Sequence, residues 1–175
     1  MRLRPVVLVL WMEASAPRAD VGRVLCVGIK RFGMGQINLS IASRSSEEKR
    51  VLSHTLERIG VSHVYMAWRA SDFVAPFLAM RALRHGLDPS PLYEPLMVDL
   101  SEIMHRYLRI SAETLQEACK ALRVGTRGTA AGGKGRPTMR LIGDRCRSNT
   151  LASERLAKRL MPLIRVAHRE LPSLL

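Results

Sequence analysis

Residues 6–13 read VVLVLWME, in which seven apolar side chains follow one another before Glu13 breaks the run. Successive side chains of a strand point to opposite faces, so a strand that is apolar at every position has to be covered on both. The run therefore asks for a central strand in a sheet flanked by helices, the arrangement of an α/β domain. Arg2 and Arg4 in front of it hint at a secretory signal, but the run is short and Glu13 ends it, which favours a buried strand. No stretch approaches the roughly 18 consecutive apolar residues of a membrane span, so none is expected.

The rest of the chain supplies the partners. RVLCVGIKRFG (23–33) reads as a second strand and QINLSIAS (36–43) as a third, which makes the start an antiparallel meander. SSEEKRVLSHTLERIG (45–60) has a helical apolar stripe at Val51, Leu52, Leu56 and Ile59. Ser45 or Ser46 is placed to cap it, Glu47 and Glu48 suit its positive end, and Gly60 stops it. VSHVYMAW (61–68) reads as a fourth strand, followed by a helix from about Ala75 to His85 that Gly86 ends. LMVDLSEIMHRYL (96–108) begins as a short strand or turn and continues as a helix. SAETLQEACKAL (111–122) opens on a capping pattern at Ser111, with Glu113 and Thr114 nearby. SNTLASERLAKRLMPLIRVAHREL (148–171) is a long closing helix that Pro162 is expected to kink or divide. Residues 124–140 are Gly-rich and basic, the composition of a flexible loop. The order β-β-β-α-β-α-α-α-α describes one domain over residues 1–175, a mixed sheet flanked by helices.

Charge points to an anionic partner. The chain of 175 residues carries 28 Lys plus Arg against 15 Asp plus Glu, a net charge of +13, and nucleic acid is the commonest partner of such a surface. Most of the excess lies beyond residue 120. The three cysteines, Cys26, Cys119 and Cys146, have no CxxC spacing, which argues against zinc and fits a reducing cytoplasm. The five histidines are scattered without metal spacing, and no Ser-His-Asp or Cys-His arrangement can be built.

Three short stretches carry a further likeness. The first strand ends on Trp11, Met12, Glu13. The fourth strand runs into Arg69, Ala70, Ser71, Asp72, Phe73, Val74 and then Pro76, Phe77, Leu78. Near the closing helix stand Arg145, Cys146, Arg147, Ser148, Asn149. In order and spacing these resemble the three motifs of the DnaQ-like (DEDD) 3′–5′ exonucleases of the ribonuclease H-like fold, and among them the group related to the proofreading domain of family B DNA polymerases. The likeness covers nearly the whole chain and is strongest over residues 64–124. No single motif is intact, so the match rests on order and spacing.

The resemblance implies a site for two divalent metals held by four carboxylates, since Mg²⁺ takes hard oxygen ligands and a metal pair activates water and steadies the leaving oxygen. In this chain Glu13 remains from the first motif, while Trp11 stands where the family has its other acid. Arg69 and Val74 replace the Asn and Asp of the second motif. Arg145 and Asn149 replace the Tyr and Asp of the third. One of four ligands is left, beside two guanidinium groups that repel Mg²⁺ and attract phosphate.

The implied function is a catalytically inactive, exonuclease-like protein that binds nucleic acid, with DNA ahead of RNA, or docks on a replication or repair assembly such as a polymerase. No cofactor is expected. The alternative is an active Mg²⁺- or Mn²⁺-dependent 3′–5′ exonuclease in which Glu13, Asp72, Asp99 and Asp144 rebuild a site. A third reading is a protein-interaction module. Arg69, Arg127, Lys134, Arg136, Arg140, Arg145 and Arg147 are the candidate phosphate contacts. Glu13 is either a strand-end carboxylate facing solvent or a residual metal ligand or salt-bridge partner of Arg69 or Arg145, Asp72 is expected to cap a helix, and Asp99 to be structural. Trp11 and Trp68 either fill the core or offer a stacking platform.

Overall fold

The computed structural model describes residues 5–125 and 137–169. Its elements are β1 (Val7–Ala14), β2 (Val24–Arg31), β3 (Ile37–Ile41), α1 (Glu48–Gly60), β4 (Val64–Ala67), α2 (Ala75–Arg84), β5 (Leu96–Asp99), α3 (Leu100–Ile103), α4 (Leu115–Ala121) and α5 (Met139–Ala167). The strands form a sheet in the order β3-β2-β1-β4-β5. β1 is antiparallel to β2 and parallel to β4, β2 is antiparallel to β3, and β4 is parallel to β5.

The opening run sits at the centre of this sheet, as its composition demands. Leu8, Leu10 and Met12 enter one core with Val51, Leu52, Phe77 and Leu78 of α1 and α2. Val7 and Val9 enter the other with Leu100, Leu115, Leu156 and Leu160 of α3, α4 and α5. β4 divides its side chains the same way, Tyr65 and Ala67 against Val64 and Met66. β3 is half-buried along its length, as befits an edge strand.

Several boundaries differ from expectation. α5 begins at Met139, nine residues before Ser148, with Thr138 Oγ1 accepting from the Leu141 amide at 3.3 Å. Met139 and Arg140 therefore belong to the helix rather than to a loop over 124–140, and residues 126–136 of that loop lie outside the described residues. Gly143 disguised the start. It is there for packing, because a Cβ would stand 3.2 Å from Ile41 Cδ1. α5 also runs through Pro162 without dividing. Pro162 is exposed, so the carbonyl it leaves without an amide partner faces the water side.

Two helix caps also differ from expectation. Neither Ser45 nor Ser46 caps α1. A 3-10 turn starts after Arg44, whose amide donates to Glu47 Oε2 at 3.1 Å. Ser111 does not cap α4 either. Thr114 does, in a reciprocal box with Glu117, because only there does the chain turn inward to bury Leu115. No helix among the described residues is long and apolar enough to cross a membrane.

Candidate functional site

β1 and β4 are parallel neighbours, so their C-terminal ends open on the same edge of the sheet, the edge where open α/β sheets bind ligands. A cavity of about 330 Å³ lies there. Its walls are Trp11, Met12 and Glu13 from the end of β1, and Trp68, Arg69, Phe73 and Val74 after β4. Residues 113–116 at the head of α4, with Arg145 and Asn149 of α5, complete it. The six positions picked out by motif spacing, Trp11, Glu13, Arg69, Val74, Arg145 and Asn149, all line this one cavity.

Glu13 is its polar centre. Trp11 and Glu13 are two apart on a strand and share a face, and the indole N–H of Trp11 donates to Glu13 Oε1 at 2.8 Å. Arg145 donates to Oε2 through Nη2 at 2.6 Å and Nε at 3.1 Å. The Asn149 amide reaches Oε1 at 3.4 Å and accepts from Gln116 Nε2 at 3.1 Å through its own Oδ1. Both carboxylate oxygens are thus engaged by donors in a pocket where Glu13 is 8% exposed. The carboxylate does not face solvent, and of Arg69 and Arg145 it is Arg145 that pairs with it.

Arg69 is turned elsewhere. Its guanidinium pairs with Asp72 Oδ2 at 2.7 and 2.9 Å and lies 5.4 Å from the centroid of the Phe73 ring. The hydrogen bond to Asp72 raises the Arg69 pKa above its ordinary value. Arg69 adopts the left-handed conformation, φ 54°, ψ 46°, where β4 gives way to a π-helical turn, Ala70–Val74. That conformation costs an ordinary L-residue roughly 1 kcal/mol and suits Asn better. Asn is the residue that the motif resemblance places here, so the backbone keeps a shape suited to Asn while the side chain is a cation. Val74 is 4% exposed and belongs to the core of α1 and α2.

The other acids do not join Glu13. Asp72 makes no cap; it is held by Arg69 and faces a neighbouring groove with Ser101 and Glu102. Asp99 is a clamp. Its Oδ1 accepts from the Ser101 amide and hydroxyl at 2.9 and 2.7 Å, capping α3, and its Oδ2 accepts from the Ser71 amide and hydroxyl at 2.8 and 2.7 Å. Asp144 is exposed on α5. Among the described residues no group of three or more His, Cys, Asp or Glu is placed to share a metal.

The basic candidates divide. Arg69 and Arg145 line the cavity, Arg140 and Arg147 stand on the exposed face of α5, and Arg127, Lys134 and Arg136 lie outside the described residues. Trp68 is 5% exposed, with its indole nitrogen buried and unpartnered. Gln116 was not foreseen. It lies just inside α4, and no spacing in the sequence says that this helix aims its first turn at β1.

No family model matches the sequence, and no curated protein matches it. Solved structures do match. A family B DNA polymerase from the hyperthermophilic archaeon Pyrobaculum calidifontis superposes with a TM-score of 0.75 and 17% identity, over 91% of this chain and 25% of that one. Exonuclease I superposes with a TM-score of 0.68 and 11% identity, over 96% of this chain and 42% of that one. The fold is ribonuclease H-like. The chain spans a quarter to about two fifths of these neighbours' lengths. In this fold the cavity stands at the ends of the parallel strands β1 and β4, walled by the last helix.

Proposed function

We propose that this chain is an exonuclease-like protein that has lost the metal-dependent cutting step and binds nucleic acid at the cavity. One observation carries the reading: Arg145 fills the space beside Glu13, and that carboxylate already accepts from Arg145, Trp11 and Asn149. A pair of divalent metals needs several hard anionic oxygens free of other partners. The residues present do not fit such a pair, because the other three ligand positions implied by the motif resemblance hold an indole, a buried valine and an amide. The same replacements suit a polyanion. Arg69 and Arg145 line the cavity, each already paired with a carboxylate yet partly exposed, and Trp11 and Phe73 give aromatic surface for a base. DNA is the favoured ligand, and docking on a replication or repair assembly is the finer reading, supported only by the fold likeness to a DNA polymerase.

The test is end-labelled single-stranded DNA incubated with the protein and Mg²⁺ or Mn²⁺, read for length and for a binding shift. The expected result is no shortening and a salt-sensitive shift that Glu13→Ala leaves intact. Shortening from the 3′ end that Glu13→Ala abolishes would make the chain an active exonuclease. Neither cutting nor a shift at low salt would move it to a protein-docking role.

A further inference from the structure

α5 carries a second cationic surface that the cavity does not use. Six cations of this helix are exposed: Arg140, Arg147, Arg155, Lys158, Arg159 and Arg165. Asp144 is the one exposed acid on it, because Glu154 is 5% exposed and paired with Lys30 at 2.8 Å. At 3.6 residues per turn the six fall within one third of the helix circumference, opposite Leu156, Leu160 and Ile164 in the core. Two are held in place: Arg155 donates to the Gly125 carbonyl at 3.0 Å, and Lys158 lies 5.7 Å from the Phe32 ring centroid and 3.6 Å from Glu154. Arg140, Arg147, Arg159 and Arg165 make no ion pair among the described residues. Arg155 and Arg159 are like charges four apart, which destabilises a helix unless an anion lies between them.

We infer that the outer face of α5 binds the sugar-phosphate backbone of duplex DNA, at a surface separate from the cavity. Arg155 to Arg165 spans about 15 Å of helix, and B-DNA carries one negative charge per about 1.7 Å of its axis, so there are phosphates enough for every cation. The step of eight positions from Arg147 to Arg155 rises about 12 Å, the width of the major groove, so Arg140 with Arg147 on one side and Arg155 to Arg165 on the other can reach the two strands that border one groove. An anionic membrane fits less well, because surface helices hold to lipid by inserting an apolar face. The apolar face of α5 is spent in the protein core.

The experiment measures fluorescence anisotropy of a labelled 20-base-pair duplex of arbitrary sequence, with the full chain, between 50 and 200 mM KCl. With about four phosphate contacts the affinity should fall about 150-fold over that range. The double variant Arg159→Glu/Arg165→Glu should bind the duplex at least about 30-fold more weakly at 100 mM salt and lose about two units of the log–log salt slope. Its circular dichroism and melting midpoint should match the wild type; Arg159→Gln/Arg165→Gln replaces it if they do not. A single-stranded probe should be weakened by Arg69→Ala and hardly touched by the α5 variant. The inference fails if the α5 variant binds the duplex within twofold of wild type, or loses both probes equally. It also fails if vesicles with phosphatidylserine bind as tightly as the duplex. A wild type that binds the duplex but not the single strand would sink the cavity reading and leave this one standing.

Discussion

Arg145 Nη2 stands 2.6 Å from Glu13 Oε2, and with this contact the last helix is fastened to the central strand from 132 positions away in the chain. The Glu13 side chain is 9% exposed and that of Arg145 30%. Removing one member of a largely buried pair strands the other's charge. Arg145→Ala should therefore cost about 2 kcal/mol, less than a fully buried pair because Arg145 is partly wet. Glu13→Gln/Arg145→Ala should recover most of that loss. Urea midpoints of the single variant, the double variant and wild type check it; a double variant as unstable as the single would mean that the pair is not what stabilises this corner.

If lost carboxylates are what disarm the cavity, restoring them should bring back a metal. The variant Trp11→Asp/Val74→Asp/Arg145→Tyr/Asn149→Asp rebuilds the set implied by the motif resemblance. It should be less stable than wild type without metal, because four acids then crowd one pocket. Mn²⁺ should raise its melting temperature while leaving the wild type unchanged. Equal response, or none in either, would show that the backbone no longer holds the ligand geometry.

At Gly28 α5 packs closely against β2. A Cβ there would lie 2.3 Å from Thr150 Oγ1 and 3.2 Å from Cys146 Sγ. Gly28→Ala should destabilise by about 1–3 kcal/mol through overpacking. Gly28→Ala/Thr150→Ala should lose less than the two single variants summed, which a double-mutant cycle measures. Additive losses would mean that the helix moves away freely.

Glu48 is 1% exposed and accepts from Arg81 at 2.6 and 2.8 Å, from the Val24 amide at 2.8 Å, and sits 3.0 Å from His85 Nε2. Burial pushes its pKa up, but the bonds from Arg81, His85 and Val24 outweigh burial and hold it below the ordinary 4.5. A folded-state pKa below the unfolded one adds stability above the unfolded value, and that stability is lost as pH falls through the folded value. Wild type should therefore lose stability steeply below about pH 4.5. Glu48→Gln should start about 2–3 kcal/mol lower at pH 7 and converge with wild type toward pH 3. Denaturant midpoints across pH 3–7 decide it, and a constant gap would refute the assignment.

The sequence by itself determined the frame. An apolar run of seven ended by Glu13 favours a strand buried on both faces, and that places VVLVLWME in the middle of a covered sheet. The order of periodic segments then decided the fold, and motif spacing named six residues that line one cavity. It did not decide who meets whom. Glu13 had two candidate arginines; the rotation of α5 against β1 chose Arg145 and left Arg69 to Asp72 and Phe73. Asp72 looked like a cap because Ser-Asp precedes a helix, yet a π-helical turn with Arg69 in the left-handed conformation faces it outward. Arg140 and Arg147 share the list of candidate phosphate contacts with Arg145, but 3.6 residues per turn carry them to the wet side of α5. Local spacing is written in the chain, whereas register, helix rotation and close approach are settled only when distant surfaces pack.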